Sequence, residues 1–527
     1  MSVKTFAAID VGSFEISLKI VEFSGKNTSK VLEHVRQRIA LGTDAYKYGK
    51  ISNEKLDELC RTLKEFSEIM KTYKVSAYKA YATSAIREAE NTRIILDQIE
   101  QRTGIHIETL SNSEQRFLDY KSVASKGEEF NHILENGTAI VDIGGGSIQL
   151  SVFMKDTLVA TQNLKLGILR LQERMNHLNA KPAQLDELID EFISAQLSVF
   201  RKMYLKDKKI QNIIIIDDYL SLLVKKRQLD STKEYYVSAE TYEEFVHNIR
   251  KKTAVDIVKA LDIPEENIPL LNITAVLVRR IIHMMDAEML WVPGVTLCDG
   301  IAYEYAEKNK ISVIDHDFEE DIIACAQNIS KRYMGSKRRS ETLEKITLTI
   351  FDSMKKVHGL GKRERLLLRI AAILHDCGKF ISMMNLAECS YNIIMSTEII
   401  GLSHAEREMV ANIVKYNSMD IISYEEFAQR VPVNTYEDLS SWIMRQLKGE
   451  RDVLWRGRVN RFAQSSGTSN GKSKYIPITQ EGLSGCHYKG ASHAVAQYLA
   501  QYPESRMFSG KAFVLGGSFA NEIPNLR

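Results

Sequence analysis

The feature that most constrains this chain is a short pattern that occurs twice. Phe6-Ala7-Ala8-Ile9-Asp10 is an apolar run that ends in an aspartate and leads into Val11-Gly12-Ser13. Thr138-Ala139-Ile140-Val141 runs in the same way into Asp142-Ile143-Gly144-Gly145-Gly146-Ser147. Each copy is followed by an alternating stretch, residues 16–23 and 148–154, with the period of a second strand. Each therefore reads as a hairpin closed by a tight turn. Two such units about 130 residues apart imply an internal duplication of one fold.

The intervening segments fit that reading. Leu56, Leu59, Leu63, Phe66 and Met70 recur at helical spacing within residues 52–73, residues 77–82 read as a strand, and residues 91–100 as a helix. Strand and helix alternate to about residue 125, the signature of an α/β domain. Ile213-Ile214-Ile215-Ile216 is the last strong buried strand, and helices dominate residues 255–310. Residues 318–418 then read as successive amphipathic helices at 342–357, 364–374, 396–400 and 404–416. Beyond about Asn434 the periodicity fades. The 527 residues are enough for three or four domains. The expected boundaries are 1–125, 126–310, 311–433 and a tail of uncertain character, 434–527.

Charge and cysteine usage exclude several classes. Seventy Lys and Arg stand against 68 Asp and Glu, a net +2, which excludes a histone-like polycation. Six scattered cysteines with no C-x-x-C pair argue against a disulfide framework or a structural zinc site. The first ten residues lack the long apolar segment of a secretory signal. No window approaches 18 consecutive apolar residues, so no membrane span is expected and the cytoplasm is the expected compartment.

The two Asp–Gly turns are where chemistry is expected. Glycines after a strand let backbone N–H groups approach phosphate oxygens without a Cβ in the way. The preceding aspartate can hold a divalent metal or orient a water beside that phosphate.

Taken together, these elements resemble the exopolyphosphatase/guanosine pentaphosphate phosphatase family, a branch of the actin–sugar kinase–Hsp70 fold. The family's D-x-G-S-N-S signature corresponds to Asp10-Val11-Gly12-Ser13-Phe14-Glu15. Its T-x-A-x-R element corresponds to Thr83-Ser84-Ala85-Ile86-Arg87, and its D-x-G-G-G-S-T-E element to residues 142–149. Leu166-Gly167-Ile168-Leu169-Arg170-Leu171 resembles the segment that follows, and Leu374-His375-Asp376-Cys377-Gly378 the family's helical HD-like domain. The resemblance covers roughly residues 5–420. It implies two actin-like (ribonuclease H-like) α/β domains followed by an all-α HD-like domain. It also implies release of terminal phosphate from polyphosphate or a phosphorylated guanine nucleotide, guanosine pentaphosphate, with Mg2+. By resemblance, Asp10, Asp142 and Gln149 would hold the metal, and Gly12, Ser13, Arg87, Gly144, Gly145, Gly146 and Ser147 the phosphate. A homodimer is the resemblance-based expectation, with no nucleic acid or membrane partner.

The chain departs from the family at the chemistry. The family's base is a glutamate in S-G-x-E-E-A-R; the segment here is Ser111-Asn112-Ser113-Glu114-Gln115-Arg116-Phe117. An ungapped alignment, anchored by Gly104-Ile105 and by Tyr120 and Val123, puts Gln115 at the base and Phe117 at the arginine. A slip of one residue would put Glu114 and Arg116 there instead. One helical step turns a side chain by about 100°, so Glu114 does not simply replace its neighbour. A glutamine cannot accept a proton, and losing a general base costs roughly 10²- to 10⁴-fold. Gln149 replaces a metal-side glutamate, and Phe14 replaces an asparagine. After the strand at 213–216, the G-x-S-G-T phosphate loop is replaced by Asp217-Asp218-Tyr219-Leu220, two acids that would repel a polyanion or recruit a metal. Two readings stay open: a weakened phosphohydrolase with Glu114 as its base, and a degenerate relative that binds a phosphorylated nucleotide or a protein partner in a regulatory role.

Three further segments bear on function. His375-Asp376 lacks the upstream histidine of a metal-dependent HD site, since Thr342 falls at that position, and reads as a buried structural pair. Basic clusters at 225–227, 250–252 and 337–339 read as solvated helix ends, with a groove for a long polyanion as the alternative. Gly467-Thr468-Ser469-Asn470-Gly471-Lys472-Ser473 is one residue short of a P-loop, with no apolar strand before it. The tail as a whole reads either as a divergent extension or as the product of a frame error.

Overall fold

A computed structural model describes residues 4–25, 28–178, 182–206, 208–225, 235–249, 251–261, 263–311, 316–416, 435–451, 453–455, 457–464 and 474–506. The chain divides into two compact units, Met1–Ile421 and Ile422–Arg527.

In the first unit the duplication is explicit. β1 (Lys4–Val11) pairs antiparallel with β2 (Glu15–Gly25), which pairs with β3 (Thr28–Arg38); β4 (Ala77–Ala82) and β5 (Glu108–Thr109) add parallel on the other side of β1. β6 (Thr138–Ile143), β7 (Ile148–Met154) and β8 (Thr157–Leu164) repeat the three-stranded meander, and β9 (Asn212–Ile216) repeats the parallel crossover strand. The short β10 (Tyr236–Ser238) and β11 (Met289–Trp291) complete the second sheet, ordered β10-β11-β9-β6-β7-β8. β1 and β6 are near-continuous apolar runs because each is central and covered on both faces. Phe6, Ala7, Ala8, Ile9, Ala139 and Val141 are fully buried.

The helix Asn53–Thr72 lays Leu56, Leu59, Leu63 and Phe66 on the first sheet, and Ser52 accepts the Lys55 N–H as its cap. The helix Ile268–Met285 is long and apolar enough to cross a membrane, but two-thirds of it is buried in the core of the second sheet. The chain then returns. The helix Leu297–Lys308 packs Leu297, Cys298 and Ile301 on Phe6 and Ala8, so it covers the first sheet although it follows the second in sequence. A buried Lys19–Asp299 ion pair of 2.6 Å pins its first turn.

The helices of residues 318–415 share one core with the outer face of the second sheet, where Ile140, Phe153, Leu158 and Trp291 meet Ile322, Ala326, Ile370 and Leu374. Two expected helices shift. The helix expected over residues 342–357 spans Lys337–Ser353, because Ser336 caps it through the Arg339 N–H. The helix expected at residues 396–400 is absent. A helix spans Leu386–Ser396 instead and stops where the Thr397 hydroxyl turns back onto the carbonyls of Ile393 and Ile394.

In the second unit the helix Tyr436–Leu447 is capped by Thr435 and Asp438, and β12 (Arg461–Gln464) pairs with β13 (Tyr475–Ile478). The P-loop-like residues 467–473 lie outside the described residues, although a strand, β12, does stand shortly before them.

Candidate active site

The two turns are copies down to the backbone. Gly12 N–H donates to Glu15 O at 3.0 Å, and Gly144 N–H donates to Ser147 O at 3.0 Å. Asp10 and Asp142 are the penultimate residues of β1 and β6, each two residues before the glycine, so the duplication brings both carboxylates to one cleft. That cleft is a cavity of about 140 Å3 lined by Asp10, Gly12, Ser13, Asp142, Gly144, Gly145 and Ser147.

The helix Asn112–Ala124 supplies the opposite wall. Gln115 lines the cleft and Glu114 does not: the Glu114 carboxylate accepts the Ser111 N–H at 2.9 Å, while Ser111 Oγ accepts the Glu114 N–H, a reciprocal cap that fixes it at the helix start. Asp119, one turn beyond Gln115 on the same face, also lines the cleft and is 3% exposed. Sequence reasoning missed Asp119. Its signal was a charged residue four positions after the expected base. Burial pushes its carboxyl well above the usual carboxylate range, and the charges of Asp142 and Asp10 push it further.

Several expected ligands stand elsewhere. Gln149 is opposite Asp142 in the β6–β7 register but is fully buried and does not line the cavity, with neither amide atom hydrogen-bonded. Gly146 does not line the cavity; a Cβ there would lie 2.1 Å from Tyr46 Oη and 2.7 Å from Ser84 Oγ, so it is the point where the second lobe's turn meets the first lobe. The hydroxyls of Ser13, Tyr46 and Ser84 close a triangle of 2.7–2.8 Å at that contact. Arg87 is also outside the cavity lining. Its Nη1 donates to Leu110 O at 2.7 Å and reaches Gln115 Oε1 at 3.5 Å, and its Nη2 donates to Asn112 Oδ1.

Asp217 lines the cleft, and its Oδ1 accepts the Leu220 N–H at 2.7 Å as the cap of the helix Asp218–Lys225. The side chain of Asp218 lies outside the described residues. Among the described residues the lining carries five carboxylates, from Asp10, Glu15, Asp119, Asp142 and Asp217, against the single guanidinium of Arg36, which pairs with Glu15. These hard oxygen donors suit a divalent cation, and the Asp10 and Asp142 charges favour one before a polyanion enters. Among the described residues no three acidic, histidine or cysteine side chains already converge on one ion position.

The His375–Asp376 pair is structural in its contacts. Asp376 Oδ2 accepts from Ser336 N at 3.2 Å and Lys379 Nζ at 3.1 Å, tying the helix Lys337–Ser353 to the end of its neighbour, and His375 Nδ1 lies 2.8 Å from Ala372 O. Thr342 is exposed, with its hydroxyl on Arg338 O. Of the basic clusters, Lys337–Arg339 is exposed at a helix start; residues 226, 227 and 250 lie outside the described set.

Comparison with known proteins agrees with this architecture. A guanosine-5'-triphosphate,3'-diphosphate pyrophosphatase of Vibrio atlanticus is 19% identical over 435 residues, 80% of this chain and 82% of that protein. Exopolyphosphatase 1 of Mycobacterium tuberculosis is 31% identical over 166 residues, 31% of this chain and 46% of that protein. The crystal structure of an exopolyphosphatase-like protein superposes with a TM-score of 0.51 at 20% identity, covering 59% of this chain and all of the other, which supports the fold. Residues 323–441 match domain III of the Ppx/GppA phosphatases. Residues 410–518 match the GH3 family N-terminal domain, so the tail carries a likeness to a second family. With residues 20–309, more than half the chain, matching the Ppx/GppA phosphatase family, the chain belongs to that family.

Proposed function

We propose that this chain is a divalent-cation-dependent phosphohydrolase that releases terminal phosphate from polyphosphate or guanosine pentaphosphate, working slowly for want of a general base. The observation that carries the reading is the pair of superposable Asp–Gly turns facing one cleft. The Gly12 and Gly144 N–H groups close their own turns, which leaves the Gly145 backbone and the Ser13 and Ser147 hydroxyls on the cleft lining to suit phosphate oxygens, and Asp10 and Asp142 would hold the cation, with Mg2+ as the preferred ion. The bound cation would supply charge neutralisation for the transferring phosphoryl group. Phosphoryl transfer depends mainly on positioning and charge, so a site with Gln115 orienting water retains part of the catalysis. Gln115 cannot take the water's proton, which sets the rate roughly 10²- to 10⁴-fold below that of a family member with glutamate there. The helices of residues 318–415 are read as an HD-like domain in a structural role.

A second reading, a binding protein without turnover, is favoured by the position of Arg87 outside the cleft. The discriminating experiment is orthophosphate release from long-chain polyphosphate and guanosine pentaphosphate with Mg2+ or Mn2+, beside an Asp142→Ala control. Release abolished in the control supports hydrolysis. Release no greater than in the control refutes it and leaves the binding role.

A further inference from the structure

Arg87 stands outside the cleft lining, and three oxygen acceptors hold its guanidinium. Two belong to the segment that starts the helix Asn112–Ala124: Leu110 O at 2.7 Å and Asn112 Oδ1. The third, Gln115 Oε1 at 3.5 Å, belongs to a residue that itself lines the cavity, so the guanidinium stands one contact away from the cleft lining. A site with five carboxylates and one paired guanidinium gains much from that added charge when a polyanion binds.

What fixes Asn112 comes from the helical region. Glu398, in the segment between the helices Leu386–Ser396 and His404–Lys415, accepts from Asn112 Nδ2 at 3.5 Å with one oxygen and from Arg116 Nη2 at 2.5 Å with the other. Arg116 is 3% exposed and also donates to Thr161. Gly401 N–H donates to Ser113 O at 3.2 Å, and Ser111 Oγ bonds Leu402 O at 3.5 Å. Residues 397–402 are therefore docked on the first turn of the helix that carries Asn112, Gln115 and Asp119. The amide of Asn112 faces both ways, its oxygen to Arg87 and its nitrogen to Glu398.

We propose that Asn112, oriented by Glu398, is a positioning residue that holds Arg87 out of the cleft, so that the helical region controls how tightly the site binds a polyphosphate chain. This rests on the phosphate-binding reading of the cleft given above. The position of the acceptor matters: a side chain that cannot reach Nη2 leaves Arg87 with Leu110 O as its one strong partner, and a polyphosphate oxygen then competes for it.

The test is isothermal titration of the full chain with inorganic tripolyphosphate in Mg2+. Asn112→Ser, too short to reach Arg87 and well tolerated at a helix start, should tighten binding about tenfold. Asn112→Asp keeps the acceptor and should give no gain. The gain of Asn112→Ser should vanish in Asn112→Ser/Arg87→Ala, an outcome that a merely structural role for Asn112 would not produce. Asn112→Ala serves as the second variant should the serine substitution perturb the helix. Unchanged affinity in both Asn112 variants, or a gain that persists without Arg87, overturns the inference. If the phosphate-release assay succeeds and this series is flat, only the Arg87 inference falls; if no variant binds tripolyphosphate, both readings fall together.

Discussion

Gly146→Ala tests whether the glycine triplet serves the contact between lobes. The added Cβ would lie 2.1 Å from Tyr46 Oη and 2.7 Å from both Tyr46 Cζ and Ser84 Oγ, so the ring must retreat by about 1.3 Å to reach ordinary contact. Tyr46 is poorly placed to move. The Arg170 guanidinium stacks on its ring at 4.3 Å, and Arg170 Nε donates to Gly146 O at 3.0 Å, while the Tyr46 hydroxyl bonds Ser13 and Ser84. Overpacking of this kind costs about 1–3 kcal/mol, and each lost hydrogen bond about 1 kcal/mol, so the substitution should destabilise the first unit by about 2–4 kcal/mol. Tyr46→Phe removes the atom in the worst clash, leaving Cζ at 2.7 Å. In its background the cost of Gly146→Ala should fall by about 1 kcal/mol, a favourable coupling. Urea denaturation in a Trp442→Phe/Trp455→Phe background, read by the fluorescence of Trp291, 1% exposed on β11, measures both quantities. A cost below about 0.5 kcal/mol, or strict additivity with Tyr46→Phe, would refute the assignment of Gly146 to this contact.

Gln115→Glu should raise phosphate release tenfold or more, because it restores a proton acceptor on the cleft wall; Gln149→Glu should instead lower stability, since it adds a carboxylate at a site 1% exposed beside Asp142. Burial alone would raise the Glu398 carboxyl, but the Arg116 charge and hydrogen bond more than reverse this and hold it below the usual carboxylate range. Its contribution is therefore present above about pH 4.5 and lost as the pH falls through the lowered value. Glu398→Gln should cost about 3 kcal/mol at pH 7 and flatten the acid limb of a Tm-against-pH profile; an unchanged limb would contradict the pairing. Asp119 has the opposite sign. With its carboxyl raised, ionisation disfavours the folded state as the pH climbs above the ordinary carboxylate value. Asp119→Asn, measured in excess chelator, should then gain Tm over the parent chain as the pH climbs above the ordinary carboxylate value, and a constant difference would refute the raised carboxyl.

The parts of the fold that were legible in the sequence are those whose physics is local. Central strands such as β1 and β6 show as apolar runs, and the helix Asn53–Thr72 shows as a stripe at helical spacing. β3 escaped because it is an edge strand with eight polar or charged residues among eleven, and only Leu32 and Val35 pack on the core, too few to impose a period. The helix Asn112–Ala124 hides its role for the converse reason. It is covered on most sides, burying Arg116, Asp119 and Lys121 together with Leu118 and Tyr120, so no amphipathic stripe separates cleft residues from core residues. The expected helix at residues 396–400 is absent because the backbone turns extended at Thr397, a turn that no local sequence pattern marks.

By itself the sequence determined the duplicated Asp–Gly turns, the α/β order of the lobes, the all-helical segment after them and the absence of a glutamate at residue 115, since each is written in contiguous residues. Only the tertiary structure decided which of those residues share a cavity. It brought Asp119 beside Asp10 and Asp142, spent Glu114 and Asp217 on helix caps, placed Gly146 against Tyr46 and tied Arg87 to Asn112. Those outcomes depend on how a buried helix is rotated between two sheets and on a carboxylate 286 residues away from Asn112 in the chain, and neither leaves a periodic trace in the sequence.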